Sequence, residues 1–153
     1  MIKVQSEPFD VGKEIAELTR GNTSIGGIVS FVGTVREITD GGAISSMTLE
    51  HYPGMTEQAL EDIEAEANAR WPLEATLIIH RYGKLLPGEG IVLVITASAH
   101  RKAAFEAAEY LMDWLKTKAP FWKLEENDAG GAWVDAREED TSATQKWSQD
   151  STD

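Results

Sequence analysis

Lys116, Lys118 and Lys123 crowd into the stretch LKTKAPFWKLE, residues 115 to 125, of a chain whose formal charge is −12. No acidic residue lies between Trp114 and Lys123 to neutralise them. Lys116 and Lys118 fall in the last turn of a predicted helix, where a cation complements the carbonyl end of the helix dipole. Lys123 lies beyond Pro120, beside Phe121 and Trp122, on a probable strand. Two nearby ammonium groups depress each other's pKa, and partial burial by aromatics adds to the effect. A lysine tuned in this way can serve as a general acid or base, or as an amine nucleophile. The plainer reading is a stem packed on aromatic rings with the ammonium in water.

Two further stretches could bind anions. In SAHRKAAF, residues 98 to 105, His100 and Arg101 fall at a strand end and the first helical turn. Free backbone N–H groups there favour an anion, and a guanidinium fork strengthens the cradle. In FVGTVRE, residues 31 to 37, Arg36 leaves an apolar strand for a loop, a usual place for a ligand contact. Both also read as ordinary surface positions. Glu50 and His51 in LEHYPGM are adjacent, so on a strand they face opposite ways and form no catalytic pair. His51 reads as shaping a turn, and His80 in LIIHRYG as a satisfied core or sheet histidine. The chain has no cysteine, which excludes disulfides, thiolate metal sites and cysteine nucleophiles. Its three histidines show no metal-ligand spacing, so no metal site is expected.

The elements that must hold these residues follow from periodicity and punctuation. Asp10 caps a predicted helix to about Arg20, with Val11, Ile15 and Leu18 on one side. IVSFVGTV (28–35) and ISSMTLEHY (44–52) read as strands whose spacing suggests an antiparallel pair, with EITDGG between them as a turn. A helix over roughly 56–71 carries Leu60, Ile63, Ala67 and Trp71 at helical spacing, and Pro72 stops it. ATLIIHRYG (75–83) and GIVLVITAS (90–98) resemble a hairpin. Ser98 is placed to cap a helix to about Lys118 with Ala104, Ala108, Leu111 and Leu115 inward. FWKLE (121–125) and AWVDA (132–136) flank a loop. Helices interspersed with antiparallel pairs imply an α+β fold.

At 153 residues the chain suits one domain, with a polar, acid-rich tail whose end is expected to be disordered. An excess of 26 acidic over 14 basic residues argues against nucleic-acid binding. No apolar run suits a membrane span, and the N-terminus does not read as a signal peptide, so a cytoplasmic location is the default.

Taken together, FVGTVR, LEHYPGM, IIHRYG, SAHRKAAFEA and MDWLKTKAPFWKLE occur in the order and spacing of the large, catalytic subunit family of molybdopterin synthase. The chain resembles that family over about residues 8 to 137, which makes 1–137 the expected domain and 138–153 the tail. The resemblance implies an α/β hammerhead with an additional antiparallel sheet. It implies a sulfurtransferase of molybdenum cofactor biosynthesis, which installs the two dithiolene sulfurs on cyclic pyranopterin monophosphate. The sulfur would arrive as a thiocarboxylate on the C-terminal glycine of a small ubiquitin-like subunit. Two large subunits would form the centre of a heterotetramer, and no cofactor would be required. A chain without cysteine is consistent with sulfur carried by a partner.

The family's two essential lysines fall on Lys116 and Lys123. Its substrate contacts fall on Arg36, His100 and Arg101, with the backbone of Thr34 and Val35 nearby. Glu125 matches the family pattern, as does the basic position at Arg137, whereas Leu124 stands where relatives carry a second basic residue. Three rival readings remain: a non-catalytic acceptor for a ubiquitin-like tail, a Schiff-base lysine enzyme acting on a small phosphorylated carbonyl compound, and a purely structural acidic module.

Overall fold

The computed structural model describes residues 1–127, 130–134, 143–145 and 147–148. In chain order the elements are β1 (Ile2–Gln5), α1 (Val11–Thr19), β2 (Gly27–Thr34), β3 (Ile38–Thr39), β4 (Gly42–Ala43), β5 (Ser46–His51) and α2 (Met55–Arg70). There follow β6 (Leu73–Arg81), β7 (Gly83–Leu85), β8 (Gly90–Ser98), α3 (Arg101–Lys118), β9 (Phe121–Asn127) and β10 (Gly130–Val134). They form one sheet in the order β1-β6-β8-β2, a second in the order β10-β9-β5-β7, and the small β3–β4 ribbon. Among the described residues only β1 runs parallel to its neighbour; every other pair is antiparallel. The mixed α+β class expected from the sequence is the class observed.

The first sheet is covered on both faces, which is why its central strands read as unbroken apolar runs. Leu77, Ile79, Leu93 and Ile95 pack against Phe9 and the Val11, Ile15 and Leu18 stripe of α1. Ile78, Val92 and Val94 point the other way, onto Leu60, Ile63 and Ala67 of α2 and Leu111 and Leu115 of α3. Each fully buried Leu or Ile contributes roughly 1.5–3 kcal/mol. Trp147, beyond the boundary drawn at residue 137, closes this cluster against Trp71 and Tyr110 with ring centroids 5.7 and 5.5 Å away. The expected disorder at the chain end, like Arg137, lies outside the described residues. A third cluster, Val35, Ile44, Met47, Leu49 and Leu85, sits under the second sheet.

Local signals placed the helices well. Asp10 accepts a hydrogen bond from Lys13 N at 3.0 Å and caps α1. Ser98 does not cap α3: the N-cap is His100, and Ser98 Oγ donates to Pro72 O at 2.8 Å instead. The expected pairing of the strands near 28–35 and 44–52 is not observed. β2 pairs with β8, from Gly27 opposite Ser98 to Thr34 opposite Gly90. β5 pairs with β7 and β9 in the other sheet. The chain is diverted between them because Val35 donates to Glu89 O and accepts from Gly88 N, while residues 38–43 close on themselves as the β3–β4 ribbon. Gly83, at φ +89°, makes the comparable switch from β6 to β7.

Arg81 joins the chain start to the first sheet. Its side chain is buried, with Nε and Nη2 donating to Ser6 O at 3.1 and 2.9 Å and Nη1 to Gly90 O at 3.0 Å. Arg81→Leu strands both carbonyls without their donors. We expect a loss of roughly 2–4 kcal/mol, read as a lower urea midpoint with unchanged slope.

Candidate active site

A cavity of about 350 Å³ opens where the two sheets meet the C-terminal end of α3. Sequence alternation explains what β9 contributes. Phe121, Lys123 and Glu125 are two apart, share one face and line the cavity, whereas Trp122 and Leu124 do not. Trp122 instead meets Tyr52 edge-on at 4.1 Å, so Phe121 is the neighbour on the Lys123 side. Lys116 enters from the last turn of α3, with Leu115 just before it and Met112 one turn earlier. Lys118 turns away and lies over the Trp114 ring at 4.5 Å. The bend between α3 and β9 is held by Thr56, fully buried at the start of α2, whose Oγ1 donates to Pro120 O at 3.1 Å.

Thr34 at the end of β2 and Arg36 just after it form the opposite wall. The β3–β4 ribbon covers one side with Thr39, Asp40 and Gly41. It is tied down by Thr39 Oγ1, which donates to Glu125 Oε2 at 2.9 Å. Three cations, Arg36, Lys116 and Lys123, therefore face two carboxylates, Asp40 and Glu125, in a lining otherwise rich in Phe31, Met47, Ile91 and Val92. On a chain of charge −12 this is a local positive site, suited to an anion with a flat or apolar body.

Not every predicted residue converges here. Val35 is buried, its N–H and C=O are both bonded within the fold, and it does not line the cavity. His100 and Arg101 are exposed at the far end of α3, roughly 22 Å from Lys116 at about 1.5 Å per residue. Arg101 there lies against Gly27, at the start of β2. Arg137 is outside the described residues.

The site also contains a residue that sequence reasoning assigned to the core. His80, on β6 opposite Val92, is buried and lines the cavity with its ring stacked on Phe121 at 3.6 Å. Burial lowers its pKa from 6.5 to about 4; the Arg81 carbonyl opposes this, and the charges of Lys123 and Lys116 add to it. The signal was present, since a titratable side chain occupied an inward position of a strand buried on both faces. The unfolded imidazole takes up a proton below about 6.5 while the folded one stays neutral to about 4, so its stabilising contribution is complete above 6.5 and lost as pH falls. Wild type should lose roughly 3 kcal/mol more than His80→Gln between pH 7 and 4. Urea midpoints across that range check this; parallel pH profiles would refute it. His51, the last residue of β5, stacks on Tyr82 at 4.3 Å, and its Nε2 lies 3.8 Å from Glu57 Oε1.

Fold and cavity together define an α+β protein with a cationic cleft for an anionic substrate. The comparisons sharpen this. The MoaE protein family matches residues 4–118. The molybdopterin synthase catalytic subunit of Mesorhizobium japonicum is 53% identical over 152 residues, covering 98% of this chain and 94% of its own. The structure of the molybdopterin biosynthesis MoaE protein from Burkholderia ambifaria gives a TM-score of 0.84 at 49% identity, covering 97% of each chain. A complex of subunits 1 and 2 of molybdopterin-converting factor from Helicobacter pylori shares the fold alone, with a TM-score of 0.71, 22% identity and coverage of 89% and 91%. The chain belongs to the MoaE family, and its function is that of a molybdopterin synthase catalytic subunit. It is an enzyme, and the non-catalytic acceptor reading falls away.

Proposed function

We propose that this cavity is where sulfur passes from the C-terminal thiocarboxylate of a small ubiquitin-like subunit to cyclic pyranopterin monophosphate. The observation that carries the reading is the meeting of Arg36, Lys116 and Lys123 in one cavity of an acidic protein. Both reactants are anions, and paired cations at a partly apolar wall suit a phosphate on a flat heterocycle. The chain has no cysteine to carry a persulfide, which is consistent with sulfur carried by a partner. Lys116 is assigned proton transfer or transient covalent chemistry at the pterin side chain. Lys123 stabilises the oxyanion that develops on the thiocarboxylate carbon, or holds that group in place. Thr34 and Glu125 border the same space. Leu124, on the other face of β9, is not assigned a substrate contact through its side chain.

His100 and Arg101 fit the reading only with a second copy. β2 is an edge strand, with Ile28, Phe31 and Val32 exposed along it. Its first residue lies beside Arg101, and its last lines the cavity. Pairing two β2 strands antiparallel about a twofold axis brings the start of each beside the end of the other. His100 and Arg101 of one chain then approach the Arg36 side of its partner's cavity. A homodimer at the centre of a heterotetramer is the assembly we assign. We place the reaction in the cytoplasm; among the described residues, no helix is long and apolar enough to cross a membrane.

The test mixes the purified chain with thiocarboxylated small subunit and cyclic pyranopterin monophosphate, and quantifies dithiolene product by mass. Product is expected. Tight binding of the small subunit without product would overturn the assigned reaction. Borohydride trapping of a lysine adduct without any protein partner would favour the Schiff-base alternative.

A further inference from the structure

His80 is oriented from two sides. Phe121 stacks on its ring at 3.6 Å with an interplanar angle of 16°, and Nδ1 lies 2.9 Å from the carbonyl oxygen of Arg81. A carbonyl oxygen only accepts, so Nδ1 carries the proton of the neutral ring and Nε2 keeps its lone pair. Nε2 has no hydrogen-bond partner among the described residues, yet it is not among the nitrogens sealed away from solvent without one. The residue is only 6% exposed and what it meets is the cavity, so the lone pair opens into the site.

The charged and titratable groups that act on this ring come from three elements: Lys123 on β9, Lys116 on α3 and His51 on β5. Lys116 is exposed, has a long flexible stem, and makes no hydrogen bond or ion pair among the described residues. Among the described residues, nothing else in the site fixes the direction of its ammonium.

We propose that His80 is a positioning residue: the ammonium of Lys116, which lines the same cavity and is unbonded in the described conformation, swings onto its Nε2, which accepts a hydrogen bond from it and sets where that lysine's remaining N–H groups point. A carboxylate could orient the ammonium equally well, but it would cancel the positive field an anionic substrate needs. An uncharged acceptor orients it and leaves the field intact. The ring stays uncharged down to about pH 4, so the acceptor is present throughout the neutral range. The kinetic part of this inference rests on the proposed reaction; the geometric part does not.

Two variants separate the ring's two nitrogens. His80→Asn keeps a donor near the Nδ1 position facing Arg81 O and loses the acceptor. His80→Gln places an amide oxygen near the Nε2 position. With thiocarboxylated small subunit and the cyclic pterin, His80→Asn should lower kcat by ~100-fold with KM within about twofold, and His80→Gln should recover most of it. A purely structural histidine gives the reverse order, and a direct substrate contact moves KM alone; either overturns the inference. The second arm needs no turnover. In ¹⁵N spectra of the free protein at pH 7, His80 should show a protonated Nδ1 and a bare Nε2. The Nε2 resonance should move in both Lys116→Met and Lys123→Met, because both charges act on the ring, and by more in Lys116→Met, where a hydrogen bond is lost as well. An Nε2 moved no further by loss of Lys116 than by loss of Lys123 refutes the hydrogen bond even if the enzyme is active. A wild type that makes no product refutes the reaction and leaves the spectroscopic result to decide the geometry.

Discussion

Lys116→Ala is expected to lower the rate of dithiolene formation by ~10³-fold and to leave the fold intact. The side chain is exposed at its tip, and it caps no buried network. Truncating it should cost well under 1 kcal/mol, within the usual range for surface substitutions. Its Cα, by contrast, sits where α3 delivers a side chain into the cavity that also holds Lys123 and Arg36. Loss of a group that moves a proton or forms a bond in the transition state falls on kcat, whereas loss of a binding cation falls mainly on KM. The measurement is steady-state product formation by mass, with small-subunit binding and thermal unfolding followed in parallel. Full turnover by Lys116→Ala would remove its assigned role. A loss confined to KM would recast it as a phosphate contact.

The second large effect is a recovery. Arg101→Ala and Lys116→Ala should each be inactive or nearly so, and co-expressing the two should restore about a quarter of wild-type activity. In a mixed dimer, one cavity receives both damaged residues and the other receives two intact ones. Random pairing makes half the dimers mixed, and one site in two is whole within each. If Arg101 served the cavity of its own chain, every site would keep one defect and mixing would recover nothing. The roughly 22 Å of helix between Arg101 and Lys116 is the ground for expecting recovery.

That separation was already legible in the sequence. Once 98–118 reads as one helix, His100 and Lys116 cannot meet in a monomer, even though the resemblance assigns both to one substrate. The helices themselves were readable because their signals are local: the Asp10 cap, the Leu60, Ile63 and Ala67 stripe, and Pro72 and Pro120 as stops. The alternation that puts Lys123 and Glu125 together and turns Leu124 away was equally implicit in β9. The antiparallel pairs β6–β8 and β9–β10 were readable, but the pairing of β2 and β5 was not, because these strands find their partners more than thirty residues away, and nothing local distinguishes those registers from a hairpin. His80 was read correctly as a buried, satisfied sheet histidine, but its place beside the cavity was missed for a different reason. A histidine facing a packed core and one facing a cavity have the same sequence neighbours, and only the empty space beside Phe121 distinguishes them.

One face of α3 is buried from Ala103 to Leu115, while both ends carry the polar residues assigned to substrate. This makes the helix a ruler with a fixed phase. One residue inserted or deleted between Arg101 and Lys116 would swing one end against the other by about 100°, moving a lysine out of its cavity or an alanine face out of the core. Length variation among descendants of this chain should therefore be absent from α3. It should gather instead in the β3–β4 turn, where Gly42 at φ +101° leads into open space and an extra residue disturbs neither the spacing nor the direction of the cations.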